Sequence, residues 1–202
     1  MVTGGTKRVG LAISDVLRMK GFEVIATTRD GGEFPDFTEP DATEKVVRIL
    51  RGRHIYGLVN NASVFSPALT LPPEEALRIY RVNKMFPERL AEELRPQCVV
   101  NILDCRILKP GFSPRSPYEQ SKADLLAATL RQAVELAPRT RVNAVAPGPV
   151  LASALVHEKA GATLLGRIPA PRDVGEAVAY LLAGESITGQ VLAIDAGQSL
   201  MP

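Results

Sequence analysis

Apolar positions Val9, Ala12, Ile13, Val16, Leu17 and Met19 recur at three- and four-residue intervals. That spacing predicts a helix over 9–20, stopped by Gly21. The next apolar run, "FEVIATT" (22–28), is short and rich in β-branched residues, and reads as a buried strand. "GGEFPDFTEP" (31–40) carries two Gly and two Pro and breaks the pattern, so it is a loop. "DATEKVVRIL" returns to helical spacing, with Asp41 or Thr43 available as a cap. "HIYGLVNNA" is a strand and a turn. "PPEEALRIYRVNKMFPERLAEEL" starts on prolines with acids in its first turn, as helix N-termini do. Then come the strand "CVVNILD", the long helix "PYEQSKADLLAATLRQAVELAP", the strand "RTRVNAVAPG", the helix "PRDVGEAVAYLLAG" and the strand "GQVLAIDAG".

Strands and helices therefore alternate from end to end. That order predicts an α/β fold of a single domain over 1–202, a doubly wound Rossmann-type parallel sheet with helices on both faces. In such sheets ligands bind just beyond the carboxyl ends of the strands. Composition changes little in this picture. The 202 residues are 46% hydrophobic and 23% charged, with a net charge of +2, which points away from nucleic acid as a partner. No apolar run is long enough to cross a bilayer and no signal segment precedes the first motif, so a cytoplasmic protein with no membrane partner is expected. Cys98 and Cys105 form no C-x-x-C and have no His cluster beside them, so no metal site is expected.

Five short stretches fall where chemistry is expected. The opening loop "VTGGTKRVG" leads into a helix N-terminus, whose free N–H groups and dipole suit a pyrophosphate. Its residues Thr3, Gly4, Gly5, Lys7, Arg8, Val9 and Gly10 are candidate cofactor contacts, the glycines supplying a tight turn and close backbone approach. In "YEQSK", Tyr118 and Lys122 lie four residues apart and share one helix face. A nearby ammonium lowers a phenol's pKa and suits it to give or take a proton. "NNAS" places Asn61, Ala62 and Ser63 after a strand, Asn83 puts an amide inside a helix, and "APGPV" puts Pro147 and Gly148 at a strand end. Each stretch alone also fits an ordinary structural role: a strand–helix turn, a solvated Tyr and Lys, an Asx turn or a helix-bending amide.

Taken together and in this order, the five stretches resemble the short-chain dehydrogenase/reductase family, from Thr3 to the "ITGQVLAIDAG" strand. The resemblance implies about seven parallel strands and a nicotinamide cofactor. It implies that Tyr118 handles a proton, Lys122 binds the ribose and tunes Tyr118, and Asn83 holds a water relay. It also brings Asp41 near the adenine, and it implies a homotetramer built on the "YEQSK" helix. That helix, 117–137, spreads Leu125, Leu126, Ala128, Leu130, Ala133 and Val134 over more than one stripe, as a helix touching both sheet and partner would. The family has several strand residues before "VTGG", whereas this chain starts at Met1, so its first and central strand is expected to be cut short. The chain is short for the family, and the savings fall in "RDGGEFPDF" and in the substrate loop of about 150–171, the expected lid.

Three departures from the family pattern are specific. Arg8 stands for the middle glycine of the loop, Asp104 for the serine of the catalytic tetrad, and "NNASVF" brings in Ser63 and Phe65. In these the chain is similar to the pteridine reductases, and "DAGQSL" is similar to that subgroup's ending. The implied activity is reduction of a dihydropterin-type C=N bond by NADPH. The catalytic set is then Tyr118, Lys122, Asp104 and Asn83, and the substrate set Arg8, Ser63, Phe65, Asp104 and Tyr118. Hydride goes to carbon, and the nitrogen needs a proton that Asp104 can relay. Phe65 can stack on a flat heterocycle, and the planar fork of Arg8 can reach phosphates or pterin edges. NADPH is favoured over NADH because Thr28 and Arg29, before Asp30, end the second strand where a base meets a 2′-phosphate. Two other readings remain: a carbonyl reductase acting on a ketone or acyl-thioester, which leaves Asp104 and Phe65 unexplained, and a non-catalytic dinucleotide sensor, which leaves Tyr118 and Lys122 unexplained.

Overall fold

The computed structural model describes residues 1–29, 32–150 and 163–201. Its sheet is parallel, in the order β1 (Gly57–Asn60), β2 (Cys98–Ile102), β3 (Arg141–Pro147) and β4 (Val191–Ile194). Leu58 pairs with Val99, Val99 with Val142 and Ala144 with Val191. The helices are α1 (Arg8–Met19), α2 (Ala42–Ile49), α3 (Pro73–Tyr80), α4 (Phe86–Leu94), α5 (Pro117–Glu135) and α6 (Pro171–Ala183). α3 runs into α4 through a π-helical turn, Arg81–Met85. Proline starts α3, α5 and α6, where its missing N–H costs nothing, and Pro87, the second residue of α4, stands just after the π-helical turn.

Met1–Thr3 pairs on both of its sides without forming an extended strand. Val2 bridges both Ala26 and Val59 in parallel. Val2 N donates to Ile25 O at 2.8 Å, and Thr3 N donates to Val59 O at 3.0 Å. Met1–Thr3 thus lies between the 22–28 segment and β1. The expected seven strands are not seen among the described residues: there are four, plus these two bridging segments. The reason is local. A three-residue central strand offers its neighbours too few backbone groups for a ladder, so "FEVIATT" pairs only around Ala26.

Alternate residues of β2 and β3 face opposite sides of the sheet. Val100 and Val145 join Ile13, Val16 and Leu17 of α1 and Val174, Val178 and Leu181 of α6 in one core. Val99 and Val142 join Val46 of α2, Phe86 and Leu90 of α4, and Ala133 and Leu136 at the end of α5 in another. The helices cover both faces, and the segments that follow Thr3, Thr27, β1, β2 and β3 all open at one end of the sheet.

Candidate active site

At that end lies a cavity of about 550 Å³. It gathers Gly4, Lys7, Arg8, Val9 and Gly10 from the opening loop, Thr28 and Arg29 from the second strand, and Asn61, Ala62, Ser63 and Phe65 from beyond β1. Asp104 after β2, Tyr118 and Lys122 of α5, and Pro147 and Gly148 after β3 complete the set. Residues as far apart in sequence as Gly4 and Gly148 therefore meet in one cleft. Thr3, Gly5 and Asn83 are buried behind this wall rather than on it.

The opening loop is built for close approach. Gly4 has φ +60°, and a Cβ on Gly10 would fall 2.0 Å from Gly4 O. Thr3 Oγ1 accepts from the N–H groups of Asn61 and Ala62, both at 3.0 Å. Asn61 Nδ2 donates to Thr3 O at 2.9 Å and Gly4 O at 3.0 Å. Gly4 N donates to Thr27 Oγ1 at 3.0 Å. Asn61 is thus a clamp on the first loop rather than a local Asx turn. No side chain caps α1 and no acid occupies its first turn, so its leading N–H groups and positive dipole end remain for an anion at the cavity. Arg8 takes φ +52°, a left-handed conformation that costs a residue with a Cβ roughly 1–2 kcal/mol relative to glycine.

The far end of the cleft corrects one expectation. Asp41 does not line the cavity. It sits at the N-cap position of α2, paired with Lys45 one turn on at 3.1 Å. Asp36 lines the cavity instead, with Phe37 and Thr38. Its Oδ1 accepts from Thr38 N at 2.9 Å. That amide bond, with Arg78 and Arg29 nearby, holds the Asp36 carboxyl below the usual carboxylate range. Arg78 and Val82, one helical turn apart, and Arg106 also stand on the cavity wall, unforeseen along the chain. The helical spacing of Arg78 and Val82 was the one available signal. Of the expected lid, Val150 and Ile168 line the cavity and residues 151–162 lie outside the described residues, as does Asp30.

At the other end, Ser116 caps α5 by accepting from Glu119 N at 3.2 Å, and Pro117 starts the helix, which sets Tyr118 in its first turn. Tyr118 is 9% exposed. Its hydroxyl donates to Asp104 Oδ2 at 3.1 Å. Asp104 Oδ1 accepts from Arg106 N at 3.0 Å, capping a short helical turn, Cys105–Leu108. Lys122 is buried, its Nζ donating to Ile102 O at 2.9 Å and lying 5.9 Å from the centre of the Tyr118 ring. Burial pushes the Lys122 ammonium down to about 8, against the pull of Asp104. The expected lowering of Tyr118 by Lys122 is overturned. Burial, then the Asp104 carboxylate, drives the phenol well above its ordinary value. Tyr118 is therefore a protonated phenol.

Asn83 is saturated. Its Oδ1 accepts from Val64 N at 2.8 Å and Ser63 Oγ at 3.1 Å. Its Nδ2 donates to Val64 O at 2.9 Å and Ser121 Oγ at 3.0 Å. These four bonds exhaust an amide side chain. Asn83 ties the Ser63–Phe65 loop to α5, and only its backbone, in the π-helical turn, could hold a water. Phe65 meets the Tyr118 ring edge-on, centroids 4.8 Å apart at 85°. It is 37% exposed, so part of its surface is open at the cleft.

Comparison with known proteins matches this architecture. The family model described as Enoyl-(Acyl carrier protein) reductase matches residues 34–199. The 3-oxoacyl-[acyl-carrier-protein] reductase FabG of Vibrio cholerae is 28% identical, over 100% of this chain and 97% of that protein. Among solved structures, FolM Alternative dihydrofolate reductase 1 from Brucella suis, in complex with NADP, superposes with a TM-score of 0.84 at 32% identity, covering 99% of this chain and 94% of that one. The same protein from Brucella canis, complexed with NADP, gives 0.82 at 31%, covering 100% and 93%. Fold, cleft and family match agree: the chain belongs to the short-chain dehydrogenase/reductase family, oxidoreductases that bind a nicotinamide cofactor.

Proposed function

We propose that the protein reduces a dihydropterin-type C=N bond with NADPH. The hydrogen bond from Tyr118 to Asp104 Oδ2 carries this reading. It couples a buried phenol to a carboxylate, at the position where the family's resemblance leads one to expect a serine. Reduction at C=N, like reduction of a ketone, adds one hydride to carbon and one proton to the heteroatom; here the proton goes to a ring nitrogen, and a phenol backed by a carboxylate can deliver and be resupplied with it.

Bound in the cleft, the nicotinamide cofactor supplies a hydride to the substrate carbon. The Gly4–Gly10 cradle and the bare N-terminus of α1 suit its pyrophosphate. Lys122 and the Asn61–Ala62 edge suit the nicotinamide ribose, and Asp36 with Thr38 suits the adenine end. Lys7, Arg8 and Arg29 give the same cleft a cationic rim, which favours the additional phosphate of NADPH. The NADP complexes of the two FolM relatives support this choice. Tyr118 passes its phenolic proton to the nitrogen, and Asp104 replaces that proton from the solvent side. Phe65, beside Tyr118, offers a face for a flat ring, and Arg8 and Ser63 offer polar contacts to its edge.

A carbonyl reductase acting on a ketone or acyl-thioester is the second reading, favoured by the reductase family model and the Vibrio relative. Turnover of 7,8-dihydrobiopterin, dihydrofolate, a cyclic ketone and an acetoacetyl thioester with NADPH separates the two. The proposal expects the dihydropterins to have the higher kcat/KM. Turnover of ketone or thioester alone would overturn it, and no turnover of any substrate would favour a dinucleotide sensor.

A further inference from the structure

A buried run of hydrogen bonds stands behind the two aromatic rings of the cleft. Asn83 holds Ser63 Oγ and both backbone groups of Val64, the two residues before Phe65. Its fourth bond leaves that loop: Nδ2 donates to Ser121 Oγ at 3.0 Å. Ser121 Oγ in turn donates to Tyr118 O, three residues back along α5, at 2.7 Å. Asn83 and Ser121 are both 0% exposed, so water does not substitute for these partners. The run therefore begins beside Phe65 and ends on the peptide of Tyr118. It closes in front, where the Phe65 and Tyr118 rings meet at 4.8 Å and 85°. Phe65 and Tyr118 line the cavity, and Ser121 stands behind them.

A helix interior gives a buried serine no advantage of its own. Alanine is the better helix former, and a hydroxyl bonded back to its own helix competes with the ladder. That back-bond uses only the donor of the hydroxyl. The acceptor is what engages Asn83. Without it, an Asn83 N–H is left buried and unpaired, and the loop that Asn83 holds loses its anchor on α5. We infer that Ser121 is a positioning residue: through Asn83 it fixes the Phe65 ring at a right angle to Tyr118, and so sets the seat of the reacting ring. A planar substrate laid on Phe65 is thereby fixed in tilt against the phenol that gives it a proton. A substrate without a flat ring takes no such orientation from Phe65. Ser121 therefore bears on flat heterocycles more than on simple ketones. The inference rests on the stacking role of Phe65 proposed above.

The test joins a spectrum to kinetics. Ring signals of carbon-13-labelled tyrosine are recorded on the substrate-free protein, and the Tyr118 signal is identified by its loss in Tyr118→Phe. Phe65→Leu gives the position of that signal without the neighbouring ring. In Ser121→Ala the signal is expected to move most of the way to that position. The kcat/KM for 7,8-dihydrobiopterin is expected to fall about tenfold and that for a cyclic ketone less than about threefold, with NADPH affinity held within about twofold. Ser121→Cys, whose sulfur is a weak acceptor, is expected to lie between Ser121→Ala and the wild type. A Tyr118 signal that stays in place in Ser121→Ala overturns the inference. So does an equal loss on both substrates, or a loss of NADPH affinity in step with turnover, the marks of a merely structural residue. If Ser121→Ala does not fold, Ser121→Cys is judged by the same criteria. The spectrum needs no substrate, so a wild type that reduces ketones alone would fault the pterin reading, while the Tyr118 signal still decides the role of Ser121.

Discussion

The phenolic hydroxyl of Tyr118 donates to Asp104 Oδ2 at 3.1 Å, while Lys122, four residues on, lies 5.9 Å from the tyrosine ring. Burial and then this carboxylate raise the phenol well above its ordinary value and keep it protonated. Removing that hydroxyl in Tyr118→Phe is expected to lower kcat by a factor of roughly 10²–10⁴, the usual contribution of a positioned acid. Cofactor affinity, measured by fluorescence titration, is expected to stay within about twofold. Rates at the wild-type level would show that another group supplies the proton.

Arg29 lines the cleft at the end of the second strand, with Lys7 and Arg8 on the same wall. NADPH is expected to bind more tightly than NADH. Arg29→Ala is expected to lower that preference about tenfold, as loss of a charged hydrogen bond does. Titration of both cofactors against both proteins measures it. A preference that is absent in the wild type, or untouched in Arg29→Ala, would contradict the assignment.

Lys122 has its ammonium lowered to about 8 by burial. The unfolded chain holds this proton up to about pH 10.4, so between pH 8 and 10 it binds more protons than the folded chain. Stability of the apoprotein from this group is therefore expected to rise with pH across that window and to be lost as pH falls towards 8. The size is on the order of 3 kcal/mol at most. Denaturant melts of wild type and Lys122→Met at pH 8 and 10 isolate the effect. It is expected to vanish in the variant, and an identical pH dependence in both would refute it.

Much of this was legible along the chain, because periodicity reports burial directly. The five helices read from apolar spacing are present, the third divided into α3 and α4 by the π-helical turn, four of the five strands read are strands while "FEVIATT" forms only a bridge at Ala26, and α1 ends before Gly21 as predicted. Tyr118 and Lys122 share a helix face because four residues make about one turn. What escaped was set by partners far off in sequence. The proton affinity of Tyr118 is raised by its burial and then by Asp104, fourteen residues upstream on another element, rather than lowered by the lysine on its own helix. Asp36 rather than Asp41 lines the cleft, fixed by an Asx bond to Thr38, whereas Asp41 is engaged at the start of α2. Nothing in "RIYRVNKM" announces a π-helical turn, and nothing local to Asn83 reveals that Val64, Ser63 and Ser121 use up its amide.

α5 exposes Leu130 at 47% and Val134 at 78%, beyond the residues it gives to the core. An apolar strip on a long helix is expected to be covered by another copy of the chain. Light scattering at micromolar concentration is expected to show an oligomer, a tetramer by family resemblance, and Val134→Glu to dissociate it. A monomeric wild type would rule this assembly out.

The measurement closest to the central claim compares wild type with Asp104→Ser on two substrates, a dihydropterin and a ketone, with NADPH. Serine restores the residue that the family resemblance leads one to expect, but a hydroxyl is a far weaker acid than a carboxyl group. The ratio of kcat/KM values, dihydropterin over ketone, is expected to fall about tenfold or more, because Tyr118 alone still serves a ketone oxygen. An unchanged ratio, with both substrates slowed alike or neither slowed, would contradict the pterin assignment.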